Sequence, residues 1–146
     1  MYDFVLWLHI LGFGLWLGSI VIGTMTWRRR IKGADAAGIV AATSDWRGVD
    51  RFVSEPAAVV VLLAGGYLMS AGDFDFNTET WIHFGFGALV ASVAISIFGV
   101  GFARRGIDKA AGEDVGGLMA RATWSAVAAA GLILIGLWVM VARPTF

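Results

Sequence analysis

Ten of the eleven Lys and Arg residues fall in two segments, each flanked by uncharged stretches long enough to cross a lipid bilayer. The first cluster is Arg28, Arg29, Arg30, Lys32, Arg47 and Arg51, and the second is Arg104, Arg105, Lys109 and Arg121. Arg143 stands apart. Residues 4–27 carry no Asp, Glu, Lys or Arg. A helix rises about 1.5 Å per residue, so this run exceeds the roughly 30 Å hydrocarbon core. Further apolar runs cover 52–71, broken near its start by Glu55 and Pro56, then 81–103 and 122–142. Each must be helical, because an isolated strand leaves its backbone groups unpaired in lipid. The expected fold is all-α. It is a single transmembrane domain over residues 1–146, an integral membrane four-helix bundle with helices near 4–27, 52–71, 81–103 and 122–142.

Composition supports that class. Hydrophobic residues make up 58% and charged residues 15%, whereas soluble domains carry charge near a quarter. The formal net charge of zero hides charges sorted by position. No basic stripe with groove-reading elements appears, so nucleic acid is not an expected partner. The absence of Cys removes disulfides, thiolate metal sites, iron–sulfur clusters and covalently attached haem.

The basic links belong inside by the positive-inside rule. The link 71–80 carries Asp73, Asp75 and Glu79 with no basic residue, which puts that link and both chain ends outside the cytoplasm. Tyr2, Tyr67, Trp81 and Trp138 are then expected at the outer interface, and Trp27 and Trp124 at the inner one. The first span lacks a basic leading region and a small-residue cleavage site, so it is expected to be retained rather than removed as a signal. In a bacterium the membrane is the inner (plasma) membrane, crossed several times. Asp35 is placed to cap a short helix lying at the cytoplasmic surface within 31–50. The glycine-rich link 106–117 is expected to be irregular. Arg51 is expected to pair with Glu55 one turn on. Gly14 and Gly18 form a small-xxx-small pair that admits a close neighbouring helix and leaves a homodimer open.

The chain has two histidines, and both lie inside spans. His9 sits roughly 7–8 Å into the first helix from its outer end, and His83 roughly 3 Å into the third. An ionisable group at membrane depth marks a functional site by default. Imidazole is the commonest metal ligand and suits haem iron. Two histidines on separate helices could hold one haem from opposite faces, or each could merely bond a carbonyl. Phe13 and Trp16, one and two turns inward from His9, would wall such a pocket. Arg143 lies at a level where it could pair with a haem propionate or act as an interfacial anchor.

The stretch 8–18, LHILGFGLWLG, places a Trp seven residues after the His and a Gly two residues later. It resembles the first helix of the CopD-like membrane proteins and their relatives, the HemJ-type protoporphyrinogen oxidases. The likeness continues through 51–56, 66–68, the Trp81-Ile82-His83 start of the third helix, and 141–144. It implies a four-helix membrane bundle whose His9 ligates b-type haem, with His83 as a candidate second ligand. HemJ-type proteins carry a Lys after a Trp-x-His-x pattern, and that position here is Gly85. CopD-like proteins are associated with copper uptake and resistance.

Two main functions and a third are open at this point. One is a membrane haem b protein with a redox role, as an electron carrier or an oxidoreductase, in exchange with a substrate, a quinone or a partner protein. Another is copper handling, since Met1, Met69 and Met140 fall on the outer side with His9 and His83, and thioether with imidazole suits Cu(I). The third is a structural or assembly subunit of a larger membrane complex. Ser19, Ser70, Ser92 and Ser96 read as interhelical hydrogen-bond formers, and no mid-membrane carboxylate suggests a proton-coupled transporter.

Overall fold

Each apolar run becomes a helix that outgrows it. The computed structural model describes residues 1–72, 74, 79–110 and 115–143. Among these residues there is no strand, and four helices are long and apolar enough to cross a membrane. They are α1 (Tyr2–Ile31), α2 (Ala36–Ala71), α3 (Thr80–Lys109) and α4 (Gly116–Ala142). The acidic positions Asp73 and Asp75 lie outside the described residues.

The helix expected at the membrane surface is part of α2. Asp35 does cap it, accepting the Gly38 N–H at 2.8 Å. The segment Ala36–Val49 then runs through a π-helical turn, Asp50–Ser54, into Glu55–Ala71 without a break. That wide turn ends two residues before Pro56 and includes Phe52, whose carbonyl the proline ring would meet in a regular α-helix. Burial of Ala42, Thr43 and Trp46 against the end of α1 holds the early half in line. Trp27 and Trp46 stack with ring centres 4.7 Å apart, and Trp27 Nε1 donates to Thr43 Oγ1 at 3.1 Å. Trp27 is therefore 1% exposed and is not the interfacial anchor the sequence suggested. Its indole has a partner inside the protein.

α3 also extends beyond its apolar run. A second π-turn, Ser96–Gly101, leads into Phe102–Lys109, where Ala103 and Ile107 are buried. Those two side chains keep the basic segment docked, so the expected irregular link is helical as far as Lys109. Positions 111–114 lie outside the described residues.

The contacts give two antiparallel pairs. His9 meets Val61, Ser19 meets Ser54, and Trp27 meets Thr43 down the α1–α2 seam. Gly136 faces Gly85, and Ser92 Oγ donates to the Ala129 carbonyl at 3.1 Å, along the α3–α4 seam. Bonds of this kind between membrane helices contribute about 0.6 kcal/mol each. α1 also packs on α4. Ala122 and Ala129 are fully enclosed and Ala126 nearly so, so small side chains let α4 close on the bundle core.

Close approach on α1 occurs at Gly12, not at the Gly14–Gly18 pair. A Cβ on Gly12 would lie 2.9 Å from Val61 Cγ2 and 3.3 Å from the Ala57 carbonyl, while Gly14 and Gly18 meet nothing within 4 Å. The outer surface is apolar, with Ile22, Leu63 and Trp138 all exposed, as lipid contact requires. The antiparallel order brings both basic clusters to one end of the bundle. The start of α1 and the end of α4 share the other end, where Tyr2 and Arg143 line one cavity. Arg51 and Glu55 do not form the expected ion pair. Asp50 takes the cation instead, accepting from Arg104 Nη1 at 2.5 Å, while Arg47 pairs with Asp108 and Arg30 with Asp45. The helical turn of 36–54 aims Asp50, one residue earlier, across to α3.

Candidate functional site

His9 belongs to the buried stripe of α1 that runs through Gly12, Phe13, Trp16, Ser19, Ile20 and Gly23. The three- and four-residue steps keep this stripe on one face. Opposite the imidazole, α2 presents Gly65, where a Cβ would stand 2.9 Å from His9 Cε1. Only a bare backbone lets the ring in. One turn earlier on α2, the Val61 carbonyl lies 2.9 Å from His9 Nδ1. A carbonyl can only accept, so Nδ1 carries the proton and a neutral ring leaves Nε2 with its lone pair available. Metal-bound histidines are commonly oriented by this kind of second bond. The Phe13 ring meets the imidazole edge-on, 5.0 Å away at 88°, which limits how far it can rotate.

His9 lines a cavity of about 200 Å³ at the non-basic end of the bundle, together with Gly65, Met69, Trp81, Met140 and Arg143. No carboxylate stands among its described lining residues. Met140 reaches it past Gly85, where a Cβ would be 3.0 Å from Met140 Cε. Gly85 is thus backed by the Met140 side chain. Arg143 ends α4 in the left-handed conformation, at φ 43 and ψ 55, and its Cζ lies 5.2 Å from the Phe74 ring and 5.3 Å from that of Trp81. Trp81 Nε1 in turn donates to the Glu79 carboxylate. The guanidinium is thereby held over two aromatic rings at the cavity wall.

The structure does not bring the two histidines into one lining. His83 is exposed on α3, whereas Ile82 and Phe86 represent that helix in the cavity. Successive helical residues turn by about 100°, so the face that offers Ile82 carries His83 away from His9. Phe13 touches His9, as expected. Trp16 is buried further in and borders a second cavity at the basic end. Met69 and Met140 join His9, and Met1 does not. Among the described residues, no group of three or more His, Cys, Asp or Glu side chains could hold a metal ion.

Sequence reasoning missed Val61 and Gly65 as partners of His9. It also missed the cluster of Trp46, Asp50 and Arg104 at the other end. The antiparallel α1–α2 pairing could have located the first two, because residues near 61–65 must stand level with residue 9. No family model matches this chain, and neither curated proteins nor solved structures give a match.

Proposed function

We propose that this protein is a multi-pass membrane metal-binding protein, with His9 Nε2 as the ligand around which the centre is built. The ion proposed is monovalent copper. One observation carries the reading: His9, Met69 and Met140 line a single cavity that has no carboxylate in its described lining. Imidazole with thioethers is a soft donor set suited to Cu(I) and poorly suited to hard cations. The proton held on Nδ1 by Val61 prepares the other nitrogen for a metal. The cavity volume, about 200 Å³, suits an ion. The positive-inside rule assigns this end to the outside of the cytoplasm and the membrane to a bacterial inner membrane. On that assignment, the chain takes up or hands on Cu(I) at the outer face, as its resemblance to CopD-like proteins implies.

A second reading is favoured by Arg143. A guanidinium in the same lining as His9 could bind a propionate of haem b, and haem would supply one-electron redox chemistry toward a quinone or a partner protein. The volume weighs against it. Pockets for drug-sized ligands run about 300–1,000 Å³, so a porphyrin would have to part α2 from α3. Gly85 weighs against HemJ-like oxidation in particular.

The test is Cu(I) competition against a chromophoric chelator, with an optical spectrum of the same purified protein. Tight binding that weakens at least tenfold in His9→Ala and in Met69→Leu supports copper. A Soret band lost in His9→Ala moves the assignment to haem. A colourless protein indifferent to both substitutions, purifying with other subunits, would leave an assembly role in place of either.

A further inference from the structure

The second cavity, about 620 Å³, opens between α2 and α3 at the basic end and spans both π-turns. Its key side chain is Arg104, 5% exposed inside a membrane bundle. Trp46 offers its ring face 3.7 Å from Arg104 Cζ, and Asp50 takes Nη1 at 2.5 Å. Arg104 Nε and Nη2 are buried with no hydrogen-bond partner. A guanidinium carries five N–H donors in a rigid fork that matches the oxygens of a phosphate or carboxylate. Enclosed donors without acceptors are rare in native proteins and call for an explanation.

The rest of the lining narrows the ligand. Arg105 stands on the same wall and pairs with no carboxylate among the described residues. Arg47, also in the lining, is paired with Asp108, so the donors left for a ligand are those of Arg105 and the unpaired Nε and Nη2 of Arg104. Beyond them the wall is apolar, and Val59, Leu62 and Ile97 are exposed on the outer surface of the bundle. The cavity is therefore reached sideways from lipid, with cationic donors at the level of the basic helix ends. Basic pockets between membrane helices on the cytoplasmic side recognise anionic headgroups in this way.

We infer that this cavity binds an anionic phospholipid, whose phosphate oxygens engage Arg104 and Arg105 and whose acyl chain lies along Val59, Leu62 and Ile97. A turn of the guanidinium about its terminal torsions brings Nε and Nη2 to the phosphate while Asp50 keeps Nη1. The membrane then supplies the acceptors that the bundle lacks. The site opens toward the opposite end from the His9 cavity, and Leu62 borders both.

The experiment is native mass spectrometry of the full chain released from detergent, after equilibration with phosphatidylglycerol or with diacylglycerol of the same acyl chains. Retention of phosphatidylglycerol at least about tenfold above diacylglycerol is expected, since charge-assisted bonds are the difference between the two lipids. Arg104→Gln and Arg105→Gln should each lower that preference. Val59→Trp, a change at an exposed position, should block the mouth and lower retention with both arginines intact. Equal retention of the two lipids would overturn the site. So would displacement of the lipid by excess inorganic phosphate alone, which would reassign the arginines to a free anion. If Arg104→Gln does not fold, the other two variants decide, and unchanged phosphatidylglycerol retention in both refutes the proposal.

Discussion

Replacing Asp50 by Asn removes one negative charge from beside Arg104 while keeping an acceptor for Ser54, whose Oγ donates to Asp50 Oδ1 at 2.9 Å. The Arg104 side chain is 6% exposed and that of Asp50 23%. Taking one member from a buried ion pair costs about 3–5 kcal/mol, because the remaining charge stays enclosed and uncompensated. Two features place Asp50→Asn near the lower bound. Water already reaches part of Asp50, and the Trp46 face continues to stabilise the cation by about 1–2 kcal/mol. We expect a loss of about 3 kcal/mol, a shift of roughly a hundredfold in the unfolding equilibrium. Reversible unfolding in mixed micelles, followed by tryptophan fluorescence, measures it. The double variant Asp50→Asn with Arg104→Met should recover most of the loss, since replacing both partners by apolar or neutral groups is close to neutral. A single-variant cost below about 1 kcal/mol, the range of an exposed pair, would refute the reasoning. A double variant no more stable than Asp50→Asn would refute it equally.

Gly65→Ala drives a methyl against His9 Cε1; it should destabilise the bundle by about 1–3 kcal/mol and weaken Cu(I) binding about ten- to hundredfold by tilting the ring off Val61. Chelator competition with unchanged affinity in that variant would count against Val61 as the orienting group. Gly12→Ala meets Val61 and the Ala57 backbone, whereas the atoms nearest a Gly85→Ala methyl all belong to the Met140 side chain. The first should therefore cost about 1–3 kcal/mol and the second less than about 1 kcal/mol, and a reversed order in micelle unfolding would contradict this packing. Gly14→Ala and Gly18→Ala, facing open space, should leave monomer stability unchanged or raise it by about 0.4–1 kcal/mol. Cross-linking that drops in those two variants while stability holds would locate a contact between copies on that face.

The four spans were legible because charge is expensive in lipid and its absence over twenty-odd residues is a strong signal. The segment 36–49 was harder. Its Ala-rich pattern gives a helix and Asp35 gives its start, but nothing local states that Trp46 will dock on Trp27 and keep the axis running into α2. His9 was singled out by its depth, and Phe13, expected from its place on the same stripe, does meet the imidazole. His83 was expected to share the site because depth along a helix is readable from spacing, while rotation about the axis depends on which neighbours it packs against. Trp27 misled for a related reason: a Trp beside arginines reads as an interfacial ring, and only the Thr43 hydroxyl across the seam explains its burial. The pairing of Asp50 with Arg104 lies 54 positions apart in sequence, beyond the reach of any local pattern.

Ser19, Ser54 and Asp50 form a short relay in which three contacts draw on only two hydroxyl protons. Ser19 Oγ lies 2.7 Å from both the Trp16 carbonyl and Ser54 Oγ, and Ser54 Oγ lies 2.9 Å from Asp50. The carboxylate holds the stronger claim, so Ser54 donates to Asp50, and the Ser19 proton, donated to the Trp16 carbonyl, is shared with Ser54 Oγ. Neutralising Asp50 weakens its claim on the Ser54 proton, which can then turn toward Ser19 and leave the Ser19 proton to the Trp16 carbonyl. A change of charge beside Arg104 is therefore felt as a reorientation of dipoles next to Trp16, on the same helix face that two turns further along carries His9.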